Sequence, residues 1–331
     1  MYEWYKITVD PGQKPVRIDS FVADHIEGLT RSQVQKAAKE NGLVVNGQVV
    51  KANYKVRPGD EITVMYSRPK YDWVLTPENI PINIVYEDDH LVVVNKEAGM
   101  VVHPANGHYS GTLVNALAYH LKNAPIFHED NIRGGLVHRI DKDTSGLLVV
   151  AKTLEAQQHL AKQFAAHSTK RTYIALVWGD FDHDEGTVRG HIGRHPKRRQ
   201  SMYVFEDGSH GKHAVTHYKV LKRFHFVTLL QLNLETGRTH QIRAHMRHIG
   251  HPLFGDAEYG GDKILRGIKT KHYMQFVDNC LKILPRQALH AKSLGFVHPA
   301  TGEEMFFDSE LPEDMKTVIE KWENYTKDLV L

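Results

Sequence analysis

Apolar and polar positions divide the chain into two differently patterned stretches. Near the start the apolar runs are short and closely punctuated. Arg17-Ile-Asp-Ser-Phe21 opens a helix, and Thr30-Arg-Ser-Gln-Val34 opens a second, with Thr30 as its N-cap. Val44-Val-Asn46-Gly47-Gln-Val-Val50 sets two β-branched runs around Asn-Gly, which predicts a hairpin. Pro58-Gly-Asp60 then turns the chain into a strand over Glu61-Ile-Thr-Val64. Prolines between Tyr66 and Pro81 mark a linker.

Beyond it, strands and helices follow one another without a βαβ rhythm. Ile84-Val-Tyr86 and Leu91-Val-Val-Val-Asn95 read as strands, as do the runs Arg171 to Trp178, Ala214 to Leu221, Val227 to Leu234 and Leu289 to Phe296. Leu113, Leu117 and Leu121 carry helical spacing, and so do Leu160 and Phe164 after an N-cap at Thr153. Strand runs broken by single helices argue for an α+β fold around a mixed, largely antiparallel central sheet. The division that follows is a small N-terminal module over residues 15–70, a linker over 71–82 and a larger domain over 83–331.

Two polar segments interrupt this pattern. In Gly134-Gly-Leu-Val-His138-Arg139-Ile-Asp141-Lys-Asp-Thr-Ser-Gly146-Leu-Leu-Val-Val150, a short polar loop lies between apolar runs expected to be strands. Framing of that kind holds a catalytic group rigid, and a carboxylate flanked by fixed cations stays ionised in a pocket. Turn geometry alone also accounts for Asp143, Thr144, Ser145 and Gly146. In Thr236-Gly-Arg238-Thr-His240-Gln241-Ile-Arg243-Ala-His245-Met-Arg247-His-Ile-Gly250 there is no acid, and Ile242, Met246 and Ile249 form one helical stripe. Thr236 or Thr239 is placed to cap it. Arg243 and Arg247 then lie one turn apart on a helix anchored by its other side. A row of cations without acids seeks anions, and phosphate is the obvious one.

Composition changes little. The chain has 331 residues, 41% of them hydrophobic, and a net charge of +3. A single cysteine, Cys280, rules out a disulfide framework and a thiolate metal cluster, and suits a reducing cytoplasm. No signal-like start or membrane-spanning apolar run is visible. Charge is clustered instead: Arg194, Lys197, Arg198 and Arg199 lie together, and acids collect from Glu303 to Asp328. Basic patches on a near-neutral protein fit RNA binding.

Four ordered blocks carry a family resemblance. They are His138-Arg-Ile-Asp141-Lys-Asp-Thr-Ser-Gly146, Lys170-Arg-Thr-Tyr173-Ile-Ala-Leu-Val-Trp-Gly179, Gly237-Arg-Thr-His-Gln-Ile-Arg243-Ala-His245, and Gln287-Ala-Leu289-His-Ala291 followed by Phe296-Val-His-Pro299. Together they resemble the RluA-type family of RNA pseudouridine synthases, with Ile140 where the family usually has Leu. The N-terminal pattern resembles a ribosomal-protein-like αL-motif RNA-binding module. The appended module and the Asp141 loop look most like the RluD and RluC branch, which acts on large-subunit ribosomal RNA. The resemblance implies a mixed sheet crossed by the active cleft, with Asp141 as the catalytic carboxylate. It also implies Arg243 as the partner of Asp141, Tyr173 against the uracil and Leu289 as the apolar floor of the pocket. His138, Arg139, Arg238, His240, Gln241, Arg17, Arg31 and Lys36 are candidate RNA contacts.

The chemistry needs few groups. Pseudouridine forms when the ribose-to-nitrogen bond breaks, uracil turns, and a ring carbon rejoins the sugar. One carboxylate suffices, as nucleophile or as base, because uracil leaves as a delocalised anion and stays in the pocket. Most glycosidases need two carboxyl groups. The target base must be flipped out of its stack, and the resemblance gives Arg139 the vacated place. A planar guanidinium there can stack and bind phosphate together. Two other classes fit less well. A metal-dependent nucleic-acid hydrolase is suggested by His240, His245, His248 and His251, but arginines interleave them and the His-Glu-x-x-His spacing is missing. A pure RNA-binding module would not need an isolated carboxylate beside a cationic helix. No phosphate loop or dinucleotide fingerprint occurs, so neither cofactor nor metal is expected. The expected partner is ribosomal RNA, with tRNA or another RNA as the alternative, for a cytoplasmic monomer without protein partners or membrane attachment.

Overall fold

The computed structural model describes residues 2–26, 29–67, 75–104, 109–124, 126–127, 134–198, 200–268 and 270–327. Of the expected linker, residues 71–74 lie outside these, as do Arg199 and Asp328. The chain packs as two compact units, neither continuous in sequence. The first gathers Met1–Asp72, Val188–Thr216 and Thr236–His248, and the second Trp73–Thr187, His217–Glu235 and Ile249–Leu331.

The first unit begins with β1 (Tyr2–Thr8), a strand the patterning did not signal. There follow α1 (Ile18–His25), α2 (Arg31–Lys39), β2 (Leu43–Val45), β3 (Gln48–Val49) and β4 (Glu61–Ser67). The strands form an antiparallel sheet in the order β1-β4-β2-β3. Thr30 caps α2 as expected: its hydroxyl accepts the Gln33 N–H, and the Gln33 side chain accepts the Thr30 N–H. At the hairpin tip, Asn46 (φ 51°) and Gly47 (φ 78°) adopt the left-handed conformations that a two-residue connection needs. Ile18, Phe21, Val22 and Val34 from the helices bury against Leu43, Ile62 and Val64 from the sheet.

The remaining elements are β5 (Ile84–Glu87), β6 (Leu91–Lys96), α3 (Leu113–His120), β7 (Ser145–Ala151), α4 (Leu154–Ala165), β8 (Lys170–Trp178), β9 (Glu185–Arg194), β10 (Met202–Phe205), β11 (Lys212–Arg223), β12 (Val227–Leu234), α5 (Gln241–His248), α6 (Lys271–Ile283), β13 (Leu289–Val297), β14 (Glu304–Asp308) and α7 (Glu313–Thr326). Helix α5 and strand β10, with the adjoining parts of β9 and β11, belong to the first unit. In the second, the strands run in the order β11-β12-β8-β13-β7-β6-β5, with β14 beside β13. The pairs β12–β8, β8–β13, β13–β14, β7–β6 and β6–β5 are antiparallel, and β13 and β7 run parallel. The sheet is mixed and largely antiparallel, as the patterning implied. The strand expected at Leu136 and Val137 is reduced to a bridge from Leu136 to Val150.

Every residue of β7 is buried. Leu147, Val149 and Ala151 pack with Leu91, Val93, Leu160 and Leu294. A second core joins β8 to α6 and α7 through Trp178, Phe254, Tyr273, Val318 and Trp322. Among the described residues no helix is long and apolar enough to cross a membrane.

The start of β7 is tightly constrained. Gly146 has φ +118°, and a Cβ there would stand 2.3 Å from the Ala291 carbonyl oxygen. That close approach seats β13 beside the polar loop. Gly146→Ala is expected to destabilise the protein by about 2–4 kcal/mol, adding backbone strain to overpacking. Chemical denaturation of the two proteins checks this, and an unchanged midpoint would show that β13 can move aside at no cost.

Candidate active site and RNA-facing residues

The polar loop is a turn held from two directions. The Thr144 N–H donates to the Asp141 carbonyl at 3.1 Å, closing the turn. From one side, Gly99 N–H and Lys96 Nζ both donate to the Lys142 carbonyl, at 2.9 and 2.8 Å. Lys96 is 2% exposed and also donates to the Glu97 carbonyl at 2.7 Å. Burial lowers its pKa to about 7; Asp143 and Asp141 pull it back up, while Arg286 lowers it further. From the other side, Arg286 donates to the Asp143 carbonyl at 3.0 Å and Gln287 Nε2 to Thr144 Oγ1 at 3.3 Å. His290 bridges two hydroxyls, with Nδ1 2.9 Å from Ser145 Oγ and Nε2 2.9 Å from Ser309 Oγ. Asp141 itself is half-buried, and Arg139 is exposed.

Tyr173 and Leu289 lie on one face of the same sheet. Tyr173 on β8 pairs with Ala291 on β13, and Leu289 pairs with Ala175, so all four point the same way. Tyr173 is 7% and Leu289 4% exposed. Burial raises the pKa of the Tyr173 phenol; Arg171 opposes the shift, and Asp141 adds to it. The second unit thus brings a carboxylate within electrostatic reach of a buried phenol beside an apolar surface. An aromatic face, an apolar floor and one charge are what a flipped uracil would need.

His138, expected among the RNA contacts, has a structural role. Its Nε2 accepts the Val149 N–H at 3.0 Å, and its ring stacks on Phe164 with centroids 4.3 Å apart. Burial, then Arg171, lowers its pKa to about 3, so the ring stays neutral. It ties the loop to β7.

In the first unit, α5 does not present a uniform row of cations. Arg243 is 5% exposed, whereas Arg247 is exposed. Gln241 is 3% exposed and spends its amide internally. Its Oε1 accepts from Thr236 Oγ1 and Arg238 N–H, and its Nε2 donates to the Val215 carbonyl and Thr216 Oγ1. The residue therefore fastens the helix start to β11. Thr236 helps that fastening and also accepts the Val215 N–H at 3.1 Å. His240 precedes the helix at φ 51°, and Arg238 Nε donates to the His213 carbonyl at 2.9 Å. His245 is fully buried with Nδ1 2.8 Å from Thr216 Oγ1, and His248 pairs with Glu206 at 3.2 Å. Among the described residues no group of three or more His, Cys, Asp or Glu is gathered as a metal site.

The N-terminal module holds its arginines in place through one acid. Asp19 is fully buried and accepts from Arg17 at 2.9 Å, Arg31 at 3.1 Å and Gln35 at 2.7 Å. Burial alone would raise its pKa, but these donors outweigh it and hold the carboxylate well below the usual range. The guanidinium-bearing side chains remain 46% and 53% exposed, so they are pinned and still face solvent. Lys36 is 73% exposed, 3.9 Å from Glu40.

Sequence reasoning missed Lys96, Arg286 and His290. Lys96 ends an apolar strand and Arg286 precedes a strand, so neither stands in a recognisable polar cluster. His290 does fall inside a family block, yet only its register opposite Ser145 reveals its role.

Comparison with known proteins identifies the family. Residues 90–248 match the RNA pseudouridylate synthase family, and residues 16–62 match the S4 domain. An RNA pseudouridine synthase of Chlorobaculum parvum is 45% identical, covering 95% of this chain and 96% of its own. The ribosomal large subunit pseudouridine synthase D of Nitrosomonas europaea is 42% identical over 96% and 88% of the two chains, and that of Pseudomonas aeruginosa 44% identical over 90% and 89%. Among solved structures, human RNA pseudouridylate synthase domain containing 4 shares the fold. It has a TM-score of 0.53 and 24% identity, over 72% of this chain and 92% of that one. The chain belongs to the RNA pseudouridine synthase family: it is an isomerase acting on uridines in RNA, with an RNA-binding S4 domain near its N-terminus. That membership leaves the metal-dependent hydrolase reading without support.

The buried histidines make stability pH-dependent. Burial lowers His290 from 6.5 to about 4, with Lys292 and Arg286 adding to the shift. Between these values the unfolded ring takes a proton and the folded ring does not, so stability is present above pH 6.5 and lost as pH falls towards 4. His25 and His245, each lowered to about 4, act in the same direction. Denaturant midpoints measured across this range are expected to fall with acid, and less steeply in His290→Asn than in the parent. Parallel curves would show that His290 does not titrate as described.

Proposed function

We propose that this enzyme isomerises uridines of large-subunit ribosomal RNA, acting as a cytoplasmic monomer in ribosome biogenesis. The observation carrying this reading is the 42–45% identity to large-subunit synthases over 90% or more of the chain, S4 domain included. In this reading the S4-bearing segment, residues 15–70, supplies phosphate contacts, and residues 83–331 supply the chemistry. Arg17 and Arg31, pinned by Asp19 and open to solvent, suit that first role.

Asp141 is the reacting carboxylate, aimed by the clasped turn. Tyr173 lies against the flipped uracil, and its hydroxyl helps the proton leave ring carbon five. Leu289 is the apolar floor. Arg139, exposed two residues before Asp141, takes the place that the flipped base vacates. Arg243 has the cationic role that the family resemblance gives it, and Arg238 and His240 are further RNA contacts.

Carbodiimide primer extension on RNA from a deletion strain tests the substrate. Loss of one or more pseudouridines from large-subunit rRNA is expected; loss confined to tRNA would overturn the rRNA reading. For the chemistry, Asp141→Asn should fold normally and form no pseudouridine, because an amide is neither anion nor base. Turnover beyond what deamidation supplies would exclude Asp141. Arg243→Met is expected to lower the single-turnover rate more than it weakens RNA binding. Unchanged turnover with weakened binding would make Arg243 a phosphate contact only.

A further inference from the structure

Arg286 and Asp314 form an ion pair that neither the chemistry above nor the matched family region uses, since both residues lie beyond residue 248. The pair is bidentate. Arg286 Nε donates to Asp314 Oδ2 at 2.7 Å and its Nη2 to Oδ1 at 2.9 Å, with side chains 9% and 30% exposed. Asp314 lies in the first turn of α7, and its Oδ1 also accepts the Met315 N–H at 2.8 Å. Helix α7 is anchored in turn, because Met315, Val318 and Trp322 are fully buried. With two nitrogens committed to Asp314, the guanidinium plane is fixed. The remaining nitrogen, Nη1, donates to the Asp143 carbonyl at 3.0 Å and the Gln287 carbonyl at 3.2 Å. Asp143 lies inside the turn that Thr144 N–H closes onto the Asp141 carbonyl.

We infer that Arg286, oriented by Asp314, is a positioning residue for the Asp141 turn, so that the C-terminal helix helps set the catalytic geometry. The inference rests on the reading of Asp141 as the reacting carboxylate. A guanidinium suits the task where an ammonium does not, because its rigid fork serves the carboxylate and the carbonyls together. With side chains 9% and 30% exposed the pair also contributes to stability, because loss of Asp314 leaves a nearly buried guanidinium uncompensated. Placement of a reacting group is different: a displacement of about 1 Å costs about a hundredfold in rate. The pair should therefore register in the turnover of the folded protein as well as in its stability.

The experiment is single-turnover tritium release from a uracil-labelled large-subunit rRNA transcript, run with filter-binding measurements on the same RNA. Asp314→Asn keeps the shape and loses the charge. It is expected to lower the saturating rate constant about ten- to a hundredfold, with the dissociation constant for RNA unchanged. Asp314→Glu should recover most of that rate, and Arg286→Lys should be as impaired as Asp314→Asn. If Asp314→Asn fails to fold, the comparison of Arg286→Lys with the parent carries the test. Rate constants within about twofold of the parent in both variants, with Asp141→Asn inactive, would overturn the positioning role alone. So would a loss of rate matched by weaker RNA binding. Activity retained in Asp141→Asn would overturn the catalytic assignment and the positioning role with it.

Discussion

The larger unit depends on immobilising the four residues from Asp141 to Thr144, which carry the carboxylate proposed to react. A carboxylate on a free loop would sample many orientations and lose rate to each unproductive one. Here the turn has no regular secondary structure of its own, so its rigidity is borrowed. Lys96 and Gly99 take the Lys142 carbonyl, Arg286 takes the Asp143 carbonyl, and His290 reaches Ser145. These donors come from the end of β6, the loop after it, the approach to β13 and β13 itself. Burying a lysine and a neutral histidine costs free energy; the return is a backbone that cannot swing.

In the proposed function the two units contribute different groups. The second presents a carboxylate, a phenol and an apolar surface. The first presents guanidinium groups, some pinned by Asp19 and one buried in α5. A phosphate backbone rewards them by counterion release as well as by direct contact. Gln241 and Thr236, which looked like RNA-facing or capping groups, spend their hydrogen bonds keeping α5 against β11.

Local chemistry made much of this legible. The Thr30 cap, the Asn46-Gly47 turn and the Thr153 cap each act within three residues, and each was visible in sequence. Strands β6, β7 and β8 were visible because they are nearly continuous apolar runs, whereas β9 and β10 carried no such signal. Helix α7 was hidden by its acids, although Met315, Val318 and Trp322 carry the buried stripe. Strand β14 was hidden for a different reason: it is five residues long and none of them is fully buried. The clasp around the Asp141 turn could not be read at all. Arg286 and Asp143 are 143 residues apart in sequence, and nothing local marks one as the partner of the other. The local role of His138 gave no sequence sign either: its ring stacks on Phe164 and its Nε2 accepts the Val149 N–H.

Strand β13 sits between β7 and β8, yet it is made more than a hundred residues after either of them. While the protein is being synthesised, β7 and β8 must wait as two open edges, and such edges invite pairing with other chains. A nascent chain stalled before Leu289 would be the aggregation-prone form, however complete its earlier elements. The late strand also carries His290, so the sheet closes and the contact to Ser145 forms in one event. No partly finished enzyme with an assembled pocket should therefore exist on the ribosome.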